Sequence, residues 1–359
     1  MSGPTSPGHA PGRARARGGV RAQTGTSSAG TSPAGTGAPV AGASGSAPTF
    51  GFLLVPHFSL FAFASALEPL RAANRASGHT LYRWQLLSPD GRPVPASSGV
   101  EINCDASLAD ADRLHTVLVV SGLAGIEYDD QGTLAWLRRQ ARQGVRLGAV
   151  STGAYLLARA GLLEGYRCTI HWENLNAFAE AYPELDISDE LFEIDGNRLT
   201  CAGGEAAFDM MLSLIALEHG RDLAAAVSEN FMHERIRDPQ DRQRMALRTR
   251  LGISHPKMLS VIALMEAHVE EPLSRAELAR RAGLSTRQLE RLFRKYLGRT
   301  PTRYYLEMRL HRARMLLHQT SMSVLDVALA CGFVSASHFS KCYREYFAKT
   351  PREERTVSG

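Results

Sequence analysis

A serine at the end of an apolar run is a candidate nucleophile in this sequence. Residues 147–150 lead into Ser151, and helix-forming residues follow at once. The pattern G-x-S-x-G marks a sharp turn between a strand and a helix that exposes a serine hydroxyl. Here Ala149 replaces the first glycine of that pattern. His171 and Glu173 lie downstream. A serine, a histidine and a carboxylate are the groups used in acyl transfer, so a hydrolase or amidase is one interpretation.

A second set of candidate residues lies in a repeated, basic block near the end of the chain. Residues 273–301 and 322–351 share an alanine, a glycine and a Thr-Pro pair at spacings of 49 to 50 residues. Residues 255–359 contain 18 basic and 10 acidic side chains, a net charge of +8, whereas residues 49–254 carry −7. This distribution indicates a polyanion-binding module joined to a part that does not bind polyanions.

Each copy of the repeat predicts two short helices joined by a tight turn. Gly283 and Gly332 break the first helix of each copy. Serines that precede Glu277 and Asp326 by three residues have the capping-box pattern or its Asp analogue, and another serine caps the second helix of each copy. The predicted caps are Ser274, Ser285, Ser323 and Ser335. Polar residues on the outward face of each second helix could read base edges, whereas the alternative is an ordinary helical bundle with solvated charges.

This block resembles the DNA-binding domain of the AraC/XylS family of transcription regulators over residues 255–353. The resemblance rests on the glycine turns, the Thr-Pro pair after each second helix and the linking helix over residues 301–319. It implies that the two recognition helices enter successive major grooves on one face of the DNA, roughly one helical turn apart. Matching positions assign base contacts to a set of polar residues. These are Arg287, Glu290, Arg291, Ser337, His338 and Lys341.

The elements that must position Ser151 lie in residues 49–220, where strand-like and helix-like patterns alternate. The predicted strands cover residues 50–55, 84–87, 116–120, 145–150 and 168–170, and the predicted helices cover residues 60–74, 134–142, 154–160 and 205–218. Asp195-Gly196 predicts a hairpin between residues 191–194 and 198–201. This alternation favours a parallel sheet flanked by helices.

Residues 50–220 resemble the PfpI-like, class I glutamine-amidotransferase-like domains, and residues 50–353 resemble the GlxA family of regulators. The resemblance implies a flavodoxin-like α/β sandwich followed by an all-α double helix-turn-helix domain. Catalytic members of this superfamily have a cysteine at the elbow, a later histidine and a glutamate on the first helix, which match Ser151, His171 and Glu68. A serine does not form a thiolate and would need an adjacent base, so the elbow departs from the catalytic pattern.

We therefore predict that this domain binds a small metabolite through Glu68, Ser151, His171 and Trp172, without a catalytic residue. A tryptophan face attracts ammonium groups and carboxylates neutralise them, so a ligand with a cationic nitrogen would fit. The family resemblance likewise implies amino acids or methylated amines as effectors. Two alternatives stay open, a Ser/His hydrolase or amidase and a domain kept only for dimerisation. Ser151 could also be only a helix cap, and His171 and Trp172 could be core residues.

Composition sets the remaining organisation of the chain. Residues 1–48 are mostly small residues with four arginines and no acid, so we predict a disordered tail, with a DNA-tethering arm as the alternative. Residues 49–220 form the predicted sensing and dimerisation domain, residues 221–254 a charged and partly helical connector, and residues 255–353 the DNA-binding domain.

Cysteine spacing and hydropathy predict the cellular setting. The five cysteines are scattered without paired spacing, which argues against disulfides and zinc, and no apolar run approaches the roughly 20 residues of a membrane span. We expect a cytoplasmic, nucleoid-associated homodimer without cofactor or metal. Its predicted partners are operator DNA, a small-molecule effector and, for an activator, RNA polymerase.

Overall fold

The structure is a computed structural model that describes residues 47–244 and 246–356. The tail predicted over residues 1–48 therefore lies, up to residue 46, outside the described residues. Within the described ranges, no helix combines the length and the apolar character that a membrane span requires.

A seven-stranded sheet forms the centre of the first domain. In chain order the strands are β1 (Thr49–Leu54), β2 (Arg83–Ser88), β3 (Val94–Pro95), β4 (Glu101–Ile102), β5 (Ala106–Ser107), β6 (Thr116–Val120), β7 (Arg146–Val150), β8 (Arg167–Thr169), β9 (Asp186–Ser188), β10 (Phe192–Asp195) and β11 (Arg198–Cys201). The main sheet has the order β10-β11-β7-β6-β1-β2-β5, and every neighbouring pair is parallel except the β10–β11 hairpin. The predicted parallel sheet and hairpin are thus confirmed.

Helices cover both faces of this sheet. They are α1 (Leu60–Ser77), α2 (Gln131–Arg142), α3 (Gly153–Arg159), α4 (Leu175–Ala181), α5 (Ala206–His219) and α6 (Arg221–Asn230). Phe52 packs into one core with α1, α5 and α6, while its neighbour Leu53 packs into the other core with α2 and α3. Because both faces are buried, the central strands are continuous apolar runs instead of alternating ones.

Two parts of the first domain differ from the sequence prediction. The strand predicted at residues 168–170 lies outside the main sheet, since β8 pairs only with β9 in a small parallel sheet. Helix α6 falls in the predicted connector, yet its buried Ala224 and Val227 share the core of α1 and α5. The first turn of this helix carries the exposed charges Arg221 and Asp222. From the sequence alone, such a charged stretch resembles a linker.

The second domain is helical throughout its described residues. Its helices are α7 (Leu247–Leu251), α8 (Pro256–Ala267), α9 (Arg275–Arg281), α10 (Thr286–Leu297), α11 (Pro301–Gln319), α12 (Val324–Ala330), α13 (Ala336–Phe347) and α14 (Pro351–Thr356). One apolar core joins α8, α9 and α10, and another joins α12, α13 and the second half of α11. Each predicted repeat is therefore one compact helix-turn-helix unit.

The four predicted helix caps are all present, but one of them differs in detail. Ser285 with Gln288 and Ser323 with Asp326 form reciprocal capping boxes. Ser274 accepts a hydrogen bond from the backbone N–H of Glu277, but the reciprocal bond is missing. The Glu277 carboxylate is instead bound by Arg280 and Arg281, which lower its pKa to about 2. Here, i,i+3 and i,i+4 ion pairs replace the second half of the box.

Candidate nucleic-acid interface and effector site

Helix α10 presents a polar face to solvent over an apolar face that fixes its position. Leu289 and Phe293 are buried against α8 and α9, which turns Arg287 and Arg291 outwards. Neither guanidinium forms a hydrogen bond or ion pair with the other described residues, so both are free to contact DNA. Glu290 lies on the same helix, but its carboxylate is paired with Arg275 at the start of α9.

Helix α13 repeats this arrangement in the second unit. Phe339 and Tyr343 are buried, while Ser337, His338 and Lys341 are exposed. The His338 Nε2 atom lies 3.5 Å from the sulfur of Cys342, one helical turn later. The hydroxyl, imidazole and ammonium groups of this face are chemically able to contact bases and phosphates.

Basic side chains brace both helix-turn-helix turns. Gly283 and Gly332 adopt the left-handed conformation, with φ of +61° and +71°. The Lys257 ammonium donates to the Gly283 carbonyl at 2.7 Å. In the second unit, Arg309 donates to the Gly332 carbonyl at 2.7 Å and stacks 4.2 Å from the centroid of the Phe333 ring. Sequence reasoning missed both braces, because they come from helices outside the repeated segments.

The two units are held in a fixed relation to each other. Helix α11 has 19 residues and therefore spans about 28 Å, at 1.5 Å per residue. A side chain at Gly332 would meet the Pro272 ring and the Val269 carbonyl, so the second turn packs closely on the loop of the first unit. Glu270 in that loop also accepts a 2.8 Å hydrogen bond from Arg312 of α11. Direct packing therefore couples the positions of α10 and α13.

The predicted elbow is present in the α/β domain. Ser151 follows β7 with a φ of +59°, a strained conformation for a residue other than glycine, and its N–H donates to the Cys201 carbonyl at 3.0 Å. The interpretation of Ser151 as a helix cap is wrong, because α3 begins after Thr152 and the Ser151 side chain caps nothing. The backbone instead turns sharply at Ser151 to lead from strand to helix.

His171 and Trp172 lie together beyond the end of β8. Their ring centroids are 5.5 Å apart, and the His171 Nδ1 atom lies 3.8 Å from the Glu173 carboxylate. Burial lowers the pKa of His171 despite this carboxylate. Among the described residues, no hydrogen bond joins the Ser151 hydroxyl to His171, so no Ser–His pair of the hydrolase kind is assembled in this conformation.

Glu68 is the predicted ligand residue that comes from the first helix of the α/β domain. It lies on α1 and forms a 2.6 Å ion pair with Arg71. Its side chain lines a cavity of about 230 Å³, together with Phe208, Phe231 and Glu205. Within the part of the chain that the structure describes, no hydrogen bond or ion pair joins Glu68 to Ser151, His171 or Trp172.

The aromatic face of Trp172 is already covered by a cation from the connector. The Arg244 guanidinium lies 4.5 Å from the centroid of a Trp172 ring, and its Nη1 atom is 3.6 Å from the Glu266 carboxylate in α8. The neighbouring Gln243 side chain donates to the carbonyls of Ile170 and Glu190, which anchors this part of the connector on the α/β domain. Arg244 thus contacts both domains, a role that its place in a charged linker did not indicate.

Comparison with known proteins agrees with this division into two parts. A family model described as DJ-1/PfpI family matches residues 54–217, and one described as helix-turn-helix domain matches residues 278–356. The HTH-type transcriptional regulator GbdR of Pseudomonas aeruginosa is 55% identical over 307 residues, covering 86% of this chain and 84% of its own length. The HTH-type transcriptional regulator GlxA of Rhizobium meliloti is 42% identical over 310 residues, covering 86% and 96%.

Solved structures with similarity to this chain cover shorter stretches of it. An AraC family transcriptional regulator from Pseudomonas putida is 31% identical and covers 51% of this chain and 99% of its own, with a TM-score of 0.47. A regulator with an AraC-type DNA-binding domain from Chromobacterium violaceum is 56% identical and covers 29% of this chain and 93% of its own, with a TM-score of 0.28. The family is assigned from GbdR and GlxA, which align with 86% of this chain. The chain belongs to the HTH-type transcriptional regulators in which a DJ-1/PfpI domain precedes an AraC-type helix-turn-helix domain.

Proposed function

We propose that this regulator recognises its operator by placing α10 and α13 in successive major grooves on one face of the DNA. The observation that carries the proposal is the pair of exposed, capped helices whose relative position is fixed by α11 and by the packing at Gly332. Their predicted base contacts are Arg287, Glu290, Arg291, Ser337, His338 and Lys341. Glu290 would need to leave Arg275, or else it orients that arginine towards the DNA backbone.

We further propose that the α/β domain binds a small metabolite, an amino acid or a methylated amine, and that binding changes operator affinity. Ser151, His171, Trp172 and Glu68 stay the predicted contacts. A ligand ammonium that replaced the Arg244 guanidinium over Trp172 would free Arg244 from its bridging position beside Glu266. The effector would then bias the two conformations of the regulator by its differential affinity. The regulator would act as a cytoplasmic, nucleoid-associated homodimer, and as an activator it would contact RNA polymerase.

Site selection from random duplexes, followed by hydroxyl-radical footprinting, tests the DNA-binding proposal. We expect one selected sequence with two protected stretches on the same face, about 10–10.5 base pairs apart. Alanine at Arg287 should abolish selection in one half of the site and leave the other half unchanged. A selected site with a single protected stretch would contradict reading by both helices.

A pair of variants separates an effector site from an enzyme. Ser151→Ala should leave regulation nearly intact or shift effector affinity by about the 0.5–1.5 kcal/mol of one hydrogen bond, because a binding site needs no nucleophile. Trp172→Ala should abolish the response to effector, because it removes the cation-attracting surface. If the domain were an enzyme, Ser151→Ala would be the more damaging variant, because it would abolish turnover. Recovery of a chemically changed ligand from the wild type, but not from Ser151→Ala, would refute the sensor proposal.

A further inference from the structure

A cavity of about 570 Å³ lies where the α/β domain meets the end of α11. Tyr155 of α3 and Glu180 of α4 line one side, and Gln319 and Met322 line the other. Ala177 of α4 is buried in the apolar core of the second helix-turn-helix unit, so this cavity adjoins a true contact between the domains. Its volume lies within the range of about 300–1,000 Å³ that is common for small-molecule sites.

Two of the residues that line this cavity each carry a buried polar atom without a partner. Within residues 47–244 and 246–356, the Tyr155 hydroxyl and the Gln319 Oε1 atom find no hydrogen-bond partner, although the Tyr155 residue is only 3% exposed. Buried polar groups are nearly always paired, by protein or by a bound molecule, because an unpaired one is costly. Burial also raises the pKa of Tyr155, so its hydroxyl is a neutral donor or acceptor. These two atoms therefore point to a ligand.

The charges around the cavity indicate the kind of ligand. Arg159 is a lining cation, but its guanidinium already donates to the carbonyls of Ile126 and Tyr128. The carboxylates of Glu127 and Glu180 are exposed and form no ion pair with other described residues. The inner wall thus offers an amide oxygen that can only accept a hydrogen bond, and the mouth is acidic. Both features favour a cation that carries N–H groups.

We propose that this cavity binds a small molecule with a primary ammonium group, which donates an N–H to Gln319 Oε1 and contacts the Tyr155 hydroxyl. A second ammonium group on the same molecule would reach Glu180 at the mouth. The site is separate from Ser151, His171, Trp172 and Glu68. It extends the proposed function, because a ligand held by both α3 and the end of α11 would change how the DNA-binding domain docks.

Titration calorimetry on the full chain with three probes tests binding. We expect 1,4-diaminobutane to bind more tightly than n-butylamine, and tetramethylammonium, which has no N–H, to bind at least fivefold more weakly than n-butylamine. Tyr155→Phe and Gln319→Met should each weaken n-butylamine at least fivefold without loss of folding, since each removes an atom that has no partner. Glu180→Gln should remove the advantage of the diamine, and the exposed-site control Gln143→Met should change nothing.

Three results would overturn the site. Equal binding of n-butylamine and tetramethylammonium would show a cation site without a role for Gln319, and equal binding by wild type and Gln319→Met would place the amine elsewhere. Absence of amine binding would show that only water occupies the cavity.

Operator affinity, measured by anisotropy with and without 1,4-diaminobutane, tests the coupling separately. We expect it to shift in the wild type and not in Gln319→Met. An unchanged affinity despite binding refutes the coupling, whereas failure to select any operator refutes the proposed function instead.

Discussion

A buried charge network attaches the segment after α6 to the α/β domain. The Asp209 carboxylate of α5 is fully buried, accepts hydrogen bonds from the Arg237 backbone N–H at 2.9 Å and from its Nε at 2.8 Å, and lies 2.9 Å from His233 Nε2. Asp209→Asn keeps the shape but removes the charge and turns an NH₂ group towards these donors. Breaking a buried ion pair costs about 3–5 kcal/mol.

The exposure of Arg237 decides where in this range the loss of unfolding free energy should fall. Its side chain is 25% exposed, so water can partly solvate the guanidinium that loses its partner, and we expect a cost of about 3 kcal/mol. For a domain of this size, about 2–4 °C per kcal/mol gives a decrease in Tm of about 6–12 °C.

Differential scanning calorimetry of the full chain resolves the α/β transition from that of the helical domain. The matched control is Glu68→Gln, whose carboxylate is partly exposed and paired with Arg71, and whose loss should cost less than about 1 kcal/mol. If Asp209→Asn and Glu68→Gln shift the α/β transition equally, the network does not anchor the segment at Arg237 and the reasoning fails.

Four further predictions follow from individual contacts. Burial lowers the pKa of His171, so the unfolded chain binds a proton at His171 more readily than the folded chain. Tm should therefore fall as the pH decreases through about 6.5, and His171→Gln should reduce this pH dependence of Tm. Burial raises the pKa of Cys201 and Cys331 to about 12, so mass spectrometry after iodoacetamide treatment should find both unmodified in the folded protein while the half-buried Cys342 reacts. Gly332→Ala places a carbon 2.6 Å from the Pro272 ring and should lower operator affinity, measured by anisotropy, more than Gly298→Ala, which meets open space at a similar φ. Operator affinity should also fall steeply with salt, because basic side chains displace counterions from the phosphates.

Local patterns were enough to predict most of the fold. The central strands appear as apolar runs because they are buried on both faces, and the serines and glycines of the repeat mark helix ends through their own backbone preferences. The segment that holds α6 was predicted to be partly helical but was assigned to the connector, and helix α4 and strands β3, β4, β5 and β9 were not predicted. The strands have only two or three residues each, and α6 owes its stability to packing on α1 and α5 more than to its own pattern.

The candidate effector site was predicted less completely, because it depends on contacts between distant residues. Glu68 was grouped with His171 by matching a family pattern; the structure places Glu68 in the lining of a cavity with Phe208 and Phe231, and its role as a ligand contact stays a prediction. No periodicity in residues 221–254 could show that Arg244 would cover Trp172. The unpaired atoms of Tyr155 and Gln319 likewise become visible only when two domains pack together.

Base recognition by the two helices is the central claim, and dissociation constants for Arg291→Ala test it most directly. They are measured by anisotropy on the selected operator and on a random duplex at one salt concentration, beside the exposed control Arg139→Ala in the α/β domain. If Arg291 reads a base, its loss should cost about 1–3 kcal/mol on the operator and much less on the random duplex, and Arg139→Ala should change neither. Equal losses on the two duplexes would make Arg291 a backbone contact and contradict sequence recognition by α10.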